Sequence, residues 1–525
     1  MLNRTQLPDN IDTLKALLSA KSAQIAAFEQ ERESWKLERD ALRAQKHDDK
    51  HEIARLSLLL DKLRRMLFGQ KSEKLVHQID QLQLELEELH INQGERAQKV
   101  ELAQAPASRP APQRRALPEH LPSDAACPDC GGAWARLGED VSEVLEHIPA
   151  SFRIVRHVRP RLACRCCDRI AQAPAPSRPI ARSFAGPGLL SHVMVSKYLD
   201  HQPLYRQCQI YERENVSLSE STMGDWVGGV HELLRPLLDA LRRHVFAAEK
   251  LHTDDTPIKV LAPGTGKTRE ARLWVYARDD RPSGDTAAPA MWMRYSPDRR
   301  GLHPQTHLKH YRGILQADAF AGYNKVYESG RVVEAGCWAH ARRKFYDIHV
   351  KDASSITTHV LERIAELYQI EAGIRGSPPT ARHAARQEHA KPIVTALYAW
   401  LRDQLPSVSR KSKTADAIGY ALNQWQALAR YVDDGRIEID NNAAERALRG
   451  VALGRKNYLF LGSDTGGERA ATMYSLLGSA KLNDINPQAY LRHVLTVIAD
   501  HPVNRIDELL PWNVAKHSLS LDRAA

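Results

Sequence analysis

Apolar residues at the start of the chain fall alternately four and three apart: Leu14, Leu18, Ile25, Phe28, Trp35 and Leu42, with Lys21, Arg32 and Arg39 in the same frame. After a polar gap the frame resumes at Ile53, Leu56, Leu60, Leu63 and Leu67. This seam predicts a coiled coil, leucine-zipper-like, over 1–100, weakened in its middle by charged positions. The frame slips by one at "FGQKSEK", where Gly69 breaks the helix, then continues through Leu75, Ile79, Leu82, Leu86 and Leu89. Self-association is the favoured reading, and a helical hairpin folded on itself is the alternative.

The periodicity ends at 101–126, where five prolines among Ala, Gln and Arg read as an extended linker. Helical spacing returns in "LLSHVMVSKYLDHQPLYRQ" and "SLSESTMGDWVGGVHELLRPLL". A break at Asn215 to Ser219, with Ser221 as candidate N-cap, makes 183–248 a helix-turn-helix-like region. From Leu251 strands follow: "KLHTDDTPIKVL", "RLWVYARDD" and "AMWMRYSPD". Helical "HPQTHLKHY", the strand "GILQAD", another helical piece and "VVEAGCW" come next, leading into "AHARRKF". Strands in succession, then strands alternating with helices, predict an α/β layer with a mixed sheet at 249–349 and 435–483. The helical, polar stretch 350–434 interrupts it, and 484–525 forms a C-terminal helical segment. The fold class expected is multidomain α+β.

Composition adds partners and excludes a membrane. No run reaches the ~18 apolar residues that suggest a span, and "MLNRTQLPDN" is no signal peptide, so a cytoplasmic protein is expected. The net charge of +10 is uneven: 1–100 holds 17 basic and 17 acidic residues, whereas 151–213 holds 11 and 3. That local excess points to a polyanion, most simply DNA.

Seven cysteines include two tight pairs, Cys127 with Cys130 and Cys164 with Cys167. Two such knuckles can present four thiolates tetrahedrally to Zn²⁺, which leaves Cys166 over and makes 127–182 a zinc-binding segment.

The stretch "EIDNNAAERALRGVALGRKN", from Glu438, sets one glutamate among basic residues. Asn442 and Glu445 are spaced as a capping box, and Glu445 and Arg449 as an i,i+4 ion pair, so an ordinary helix start would explain them. A second explanation brings Glu445 to Asp254, in the first strand, and Asp318, ending "GILQAD". Strand ends and the crevices beside them are where α/β sheets hold ligands. Three converging carboxylates repel unless divalent cations neutralise them, and hard oxygen ligands suit Mg²⁺ or Mn²⁺. Two such ions can clamp an in-line displacement at a phosphodiester, with Arg449, Arg455 and Lys456 on the flanking phosphates.

The chain resembles the DDE transposases of the insertion-sequence 66 family along nearly its whole length. The resemblance is carried by "LRRMLFGQKSEKL", the cysteine knuckles, "VSKYLDHQPLYRQ", "TDDTPIKVL", "RLWVYARD", "GILQADAFAGYNKVY", "CWAHARRKFYD", "EIDNNAAERALRG", "GRKNYLFLGSD" and "LLPWNV". It implies an RNase H-like catalytic domain with a helical insertion, and Asp254, Asp318 and Glu445 as the acidic triad. It also implies a zinc-binding segment, N-terminal pairing into a homo-oligomer, and bacterial, nucleoid-associated action on the element's terminal inverted repeats and a target DNA. Accessory proteins encoded beside the element are expected too. Where the family reads Asp-Glu-Thr this chain has Asp254-Asp255-Thr256; alternation puts Asp255 on the opposite face, so the change should matter little. Arg342 and Arg343 match the family as DNA contacts, joined by Lys197 and Arg206 of the helical region; His340 is left without a role, and Trp338 is read as core. Glu438, outside the triad, is expected to tolerate an amide. The competing function is a DNA-binding regulator with a vestigial triad.

Overall fold

The computed structural model describes residues 152, 154–157, 161–163, 170–172 and 176–515. The coiled-coil region, the linker, Cys127, Cys130, Cys164 and Cys167, and 516–525 lie outside the described residues.

A short antiparallel ribbon, β1 (Arg161–Ala163) with β2 (Ile170–Gln172), precedes three helices. These are α1 (Pro187–Tyr198), α2 (Leu204–Glu212) and α3 (Glu220–Phe246). Pro187 suits the first helical position, where its ring presets φ and its missing N–H leaves no bond unmade. The break between α2 and α3 passes through Asn215 at φ 59°. Ser219, two residues before the expected Ser221, caps α3, its hydroxyl accepting the Thr222 N–H at 3.1 Å.

The sheet has five strands in the order β5-β4-β3-β6-β7. They are β3 (Lys250–Ala262), β4 (Lys267–Arg278), β5 (Ala290–Ser296), β6 (Gly313–Gln316) and β7 (Val332–Ala335). β3, β4 and β5 form an antiparallel meander, and β6 and β7 run parallel to β3. The β3–β4 hairpin closes on Gly264 and Gly266, both at positive φ, which other residues reach only at a cost. Parallel partners need crossovers: α4 (Leu302–His307) lies between β5 and β6, and α5 (Asn324–Glu328) between β6 and β7.

Beyond β7 the chain forms α6 (Trp338–His349) and then the helical insertion. The insertion comprises α7 (Ser355–Ile374), α8 (Pro379–Ala385), a π-helical turn (Arg386–Ala390), α9 (Lys391–Gln404), α10 (Lys413–Asn423) and α11 (Trp425–Asp433). The chain returns to the sheet through α12 (Asn442–Asn457), α13 (Asp464–Leu482) and α14 (Pro487–Val497).

Among the described residues two apolar cores result. One joins α1, α3, α13 and α14 to β3–β5 around Trp226, Leu234, Trp274 and Leu477. The other gathers the insertion on β6, β7 and α6 around Trp338, Ile364, Leu397 and Tyr431. Trp338 is core, as its sequence context suggests, and its indole N–H donates to the Leu428 carbonyl at 2.9 Å. The open edge of β5 is closed by α13. Ser475 and Ser479, one turn apart, accept the Met293 and Met291 amides at 2.7 and 3.0 Å. Gly478 leaves room for the end of the Met291 side chain, whose methyl occupies the space a Cβ would take.

Candidate active site

Strand register brings the first two acids together. Lys250 pairs with Ile314 and His252 with Gln316, and Asp254 and Asp318 each follow that last pair by two residues. Asp318 lies past the end of β6, and its carboxylate accepts the Phe320 N–H at 3.1 Å. Glu445 comes from the first turn of α12, which packs across β3.

What seats α12 there is Asn441, not the expected capping box. Asn441 is the N-cap residue, fully buried, and its side chain makes no bond to the helix. Its Nδ2 donates to the Thr253 carbonyl at 2.8 Å, and its Oδ1 accepts from His252 Nδ1 at 3.1 Å. Its own N–H donates to Cys337 Sγ at 3.2 Å. Asn442 is already helical, and both its backbone N–H and its Nδ2 donate to Asp440. Asn441 therefore grips the two residues that precede Asp254 and fixes the helix turn that carries Glu445. Burial, then Lys250, pull the pKa of His252 down to about 3, so the ring is neutral and donates to Asn441 as its Nδ1–H tautomer.

Asp254 feels the charge of the other acids. Burial pushes Asp254 well above the usual carboxylate range; Asp318, Glu445 and Asp255 push the same way, against the pull of the Asp255 N–H at 2.7 Å. Asp440, between Glu438 and Glu445 in sequence, is driven by burial up to about 6. Negative charge this concentrated fits a hard divalent cation. Glu445 also belongs to a softer group: one donor atom each from Cys337, His340 and Glu445 lie within 4.8 Å of one another. His340 Nδ1 stands 3.7 Å from Glu445 Oε1.

The Transposase IS66 family model matches residues 182–469, more than half of the chain. The chain belongs to this family. Three further IS66 segments match: the C-terminal element at 475–512, the zinc-finger binding domain of transposase IS66 at 124–168, and the Transposase C of IS166 homeodomain at 55–124. All four paired cysteines fall inside the zinc-finger match. Similar chains include Uncharacterized protein y4hP of Sinorhizobium fredii (strain NBRC 101917 / NGR234), 41% identical over 88% of both chains. Uncharacterized protein y4qI of the same organism is 38% identical over 97% of both.

The basic residues singled out in this IS66 family member are placed differently from one another. Arg206, Arg343 and Lys456 are exposed; Arg342, half-buried, lies 5.2 Å over the Tyr346 ring, and Arg449 is half-buried on α12. Lys197 is tucked 5.3 Å from the Tyr458 ring. Arg455 donates to the Pro257 carbonyl at 2.6 Å, tying the end of α12 to β3. Sequence reasoning missed Asn441, His252 and, at the rim of the carboxylates, Arg299. A polar residue beside a more conspicuous neighbour carries no periodic signal, so spacing could not have found them.

Proposed function

We propose that this IS66 family member cuts DNA at the terminal inverted repeats of its element and joins the ends to a target, with Asp254, Asp318 and Glu445 as the acidic triad. What supports this reading is that Asp254 is electrostatically coupled to Asp318 and Glu445, acids contributed by separate segments. The mixed sheet interrupted by helices suits an RNase H-like domain at 249–349 and 435–483. Mg²⁺ or Mn²⁺, held by the three carboxylates, would supply a Lewis acid at the scissile phosphate and offset their charge. Asp254 has to shed its proton to serve as a ligand, and Asn441 with His252 keeps Glu445 in reach. Arg206, Arg342, Arg343, Arg449 and Lys456 hold backbone phosphates; Lys197 and Arg455 lend charge from tethered positions. Cys127, Cys130, Cys164 and Cys167 hold Zn²⁺, and the N-terminal seam pairs copies of the chain.

The test is cleavage and strand transfer of a labelled terminal-repeat duplex in Mg²⁺ or Mn²⁺, with accessory proteins supplied. Asp254→Asn, Asp318→Asn and Glu445→Gln should each abolish both steps and leave DNA binding intact, and pairs should add little because the site fails as a unit. DNA binding by the unaltered chain without any cleavage would support a regulator instead.

A further inference from the structure

Arg299 stands beside the acids, on the turn that follows β5. Its Nε donates to Asp255 Oδ1 at 3.1 Å, and its Nη2 lies 3.0 Å from the same oxygen. The guanidinium carbon sits 4.2 Å above the Phe320 ring, and Nη2 is 3.9 Å from Asp318 Oδ2. The Asp255 side chain is 2% exposed and shared, since Arg272 Nη1 donates to its Oδ2 at 3.1 Å. One buried carboxylate therefore faces two guanidiniums. Arg272 has a second acid in Glu270 at 2.5 Å, whereas Arg299 meets Asp318 only beyond hydrogen-bond distance. Its side chain is 40% exposed. The result is a guanidinium anchored along one edge, supported on one face, and open to solvent at the carboxylate cluster.

We propose that Arg299 binds a phosphate of the DNA next to the bond that is cut, with Asp255 as the positioning residue that holds it there. The proposal rests on the reading of Asp254, Asp318 and Glu445 as catalytic. A phosphodiester that approaches three carboxylates needs a fixed cation, and a planar guanidinium can engage two phosphate oxygens at once. The long contact to Asp318 is one a phosphate can replace without breaking the Asp255 anchor. Position 255 therefore acts through Arg299: its carboxylate is on the opposite face of β3, as alternation requires, yet it reaches the site.

The test uses the full chain and the terminal-repeat duplex, comparing wild type, Arg299→Gln, Arg299→Lys and Asp255→Asn. Cleavage is followed over a Mg²⁺ series, DNA affinity is followed over a salt series with Ca²⁺ replacing Mg²⁺, and thermal midpoints are recorded. Arg299→Gln should cut on the order of 10- to 100-fold more slowly at saturating Mg²⁺, the loss expected for one charged hydrogen-bond partner. Its slope of log affinity against log salt should fall by about one. Its midpoint should stay near wild type, and Arg299→Lys should recover part of the rate. Asp255→Asn should slow cleavage less and add little to Arg299→Gln, because both act on one contact. Full-rate cleavage by Arg299→Gln overturns the proposal. So does a reduced Mg²⁺ requirement with unchanged maximal rate and salt slope, which would make Arg299 a stand-in for the cation. Equal slowing by Gln and Lys with a fallen midpoint would reduce Arg299 to a structural role. If wild type binds DNA but never cuts, the catalytic reading fails, and the salt slope still decides whether Arg299 meets a phosphate.

Discussion

Arg382 donates to both carboxylate oxygens of Glu438, at 2.8 and 3.0 Å, and through that pair the helical insertion grips the segment leading to Glu445. The pair belongs to a buried network. Arg386 donates to both oxygens of Glu371 at 2.7 Å, Arg382 reaches Glu371 at 3.4 Å, and Lys250 lies 3.6 Å from Glu438 and 3.3 Å from Asp280. The backbone around Glu438 is held as well: Gln316 donates to its carbonyl at 2.6 Å and accepts its N–H at 3.2 Å. Strands β3 and β6, the insertion and the approach to α12 thus meet at one residue.

Glu438→Gln should therefore be costly, contrary to the tolerance expected from sequence. The amide leaves the buried Arg382 and Lys250 without a full counter-charge, a loss on the order of 3–5 kcal/mol. Burial pushes Glu438 up, but Lys250 and then Arg382 outweigh it and hold it down to about 2. A depressed acid stabilises the fold above its unfolded value, about 4.5, and that contribution disappears as pH falls from there toward 2. Urea unfolding should show the deficit of Glu438→Gln at pH 7 and little of it near pH 2. Adding Arg382→Met to Glu438→Gln should cost less than the two singles summed. A Glu438→Gln chain as stable as wild type at pH 7 would remove the network from the account.

The adjacent asparagines separate in the same way. Asn441→Ala strips partners from the Thr253 carbonyl and from His252, both buried, and should cost about 2–4 kcal/mol for two unmet polar groups. It should also slow cleavage, since the turn bearing Glu445 loses its anchor on β3. Asn442→Ala loses only the Nδ2 bond to Asp440, its backbone N–H being kept, and should cost about 1 kcal/mol. Denaturation and cleavage of the two variants side by side decide the matter, and the reverse ranking would restore the capping box.

How far the sequence reaches can be seen in these residues. The strands of the mixed sheet are legible because burial on both faces leaves unbroken apolar runs such as "LWVYA", and the insertion because its apolar spacing changes to helical. Asp254 is legible as an acid within the first strand and Asp318 as an acid at a strand end. The choice between Asn441 and Asn442 is not, because it is made by His252, which is 189 residues away. Arg382 and Arg386 read as the polar face of a helix; only Glu371 and Glu438, reached through the fold, draw them inside. Arg299 lies in "SPDRRG", where local pattern does not distinguish it from Arg300, whose partner is Asp298.

The last expectation concerns Asp254 in the metal-free chain. Burial, with Asp318 and Glu445 beside it, raises this acid well above its ordinary value of 3.8. A raised acid favours its protonated form in the folded state. Folding therefore bears no cost from it below the ordinary value, a growing cost as pH rises, and the full cost above the folded value. Asp254→Asn keeps the shape and an oxygen for the Asp255 N–H, but it cannot ionise. In EDTA its thermal midpoint should exceed that of wild type at pH 8, and the difference should shrink as pH falls and vanish below about 4, the ordinary Asp range. Mg²⁺ should raise the wild-type midpoint at pH 8 and leave Asp254→Asn nearly unmoved, because a ligand bound only by the folded chain stabilises it by mass action. If Asp254→Asn were instead the less stable chain in EDTA at pH 8, the carboxylate would be stabilised where it lies, and three acids in conflict could not be the basis of cation binding.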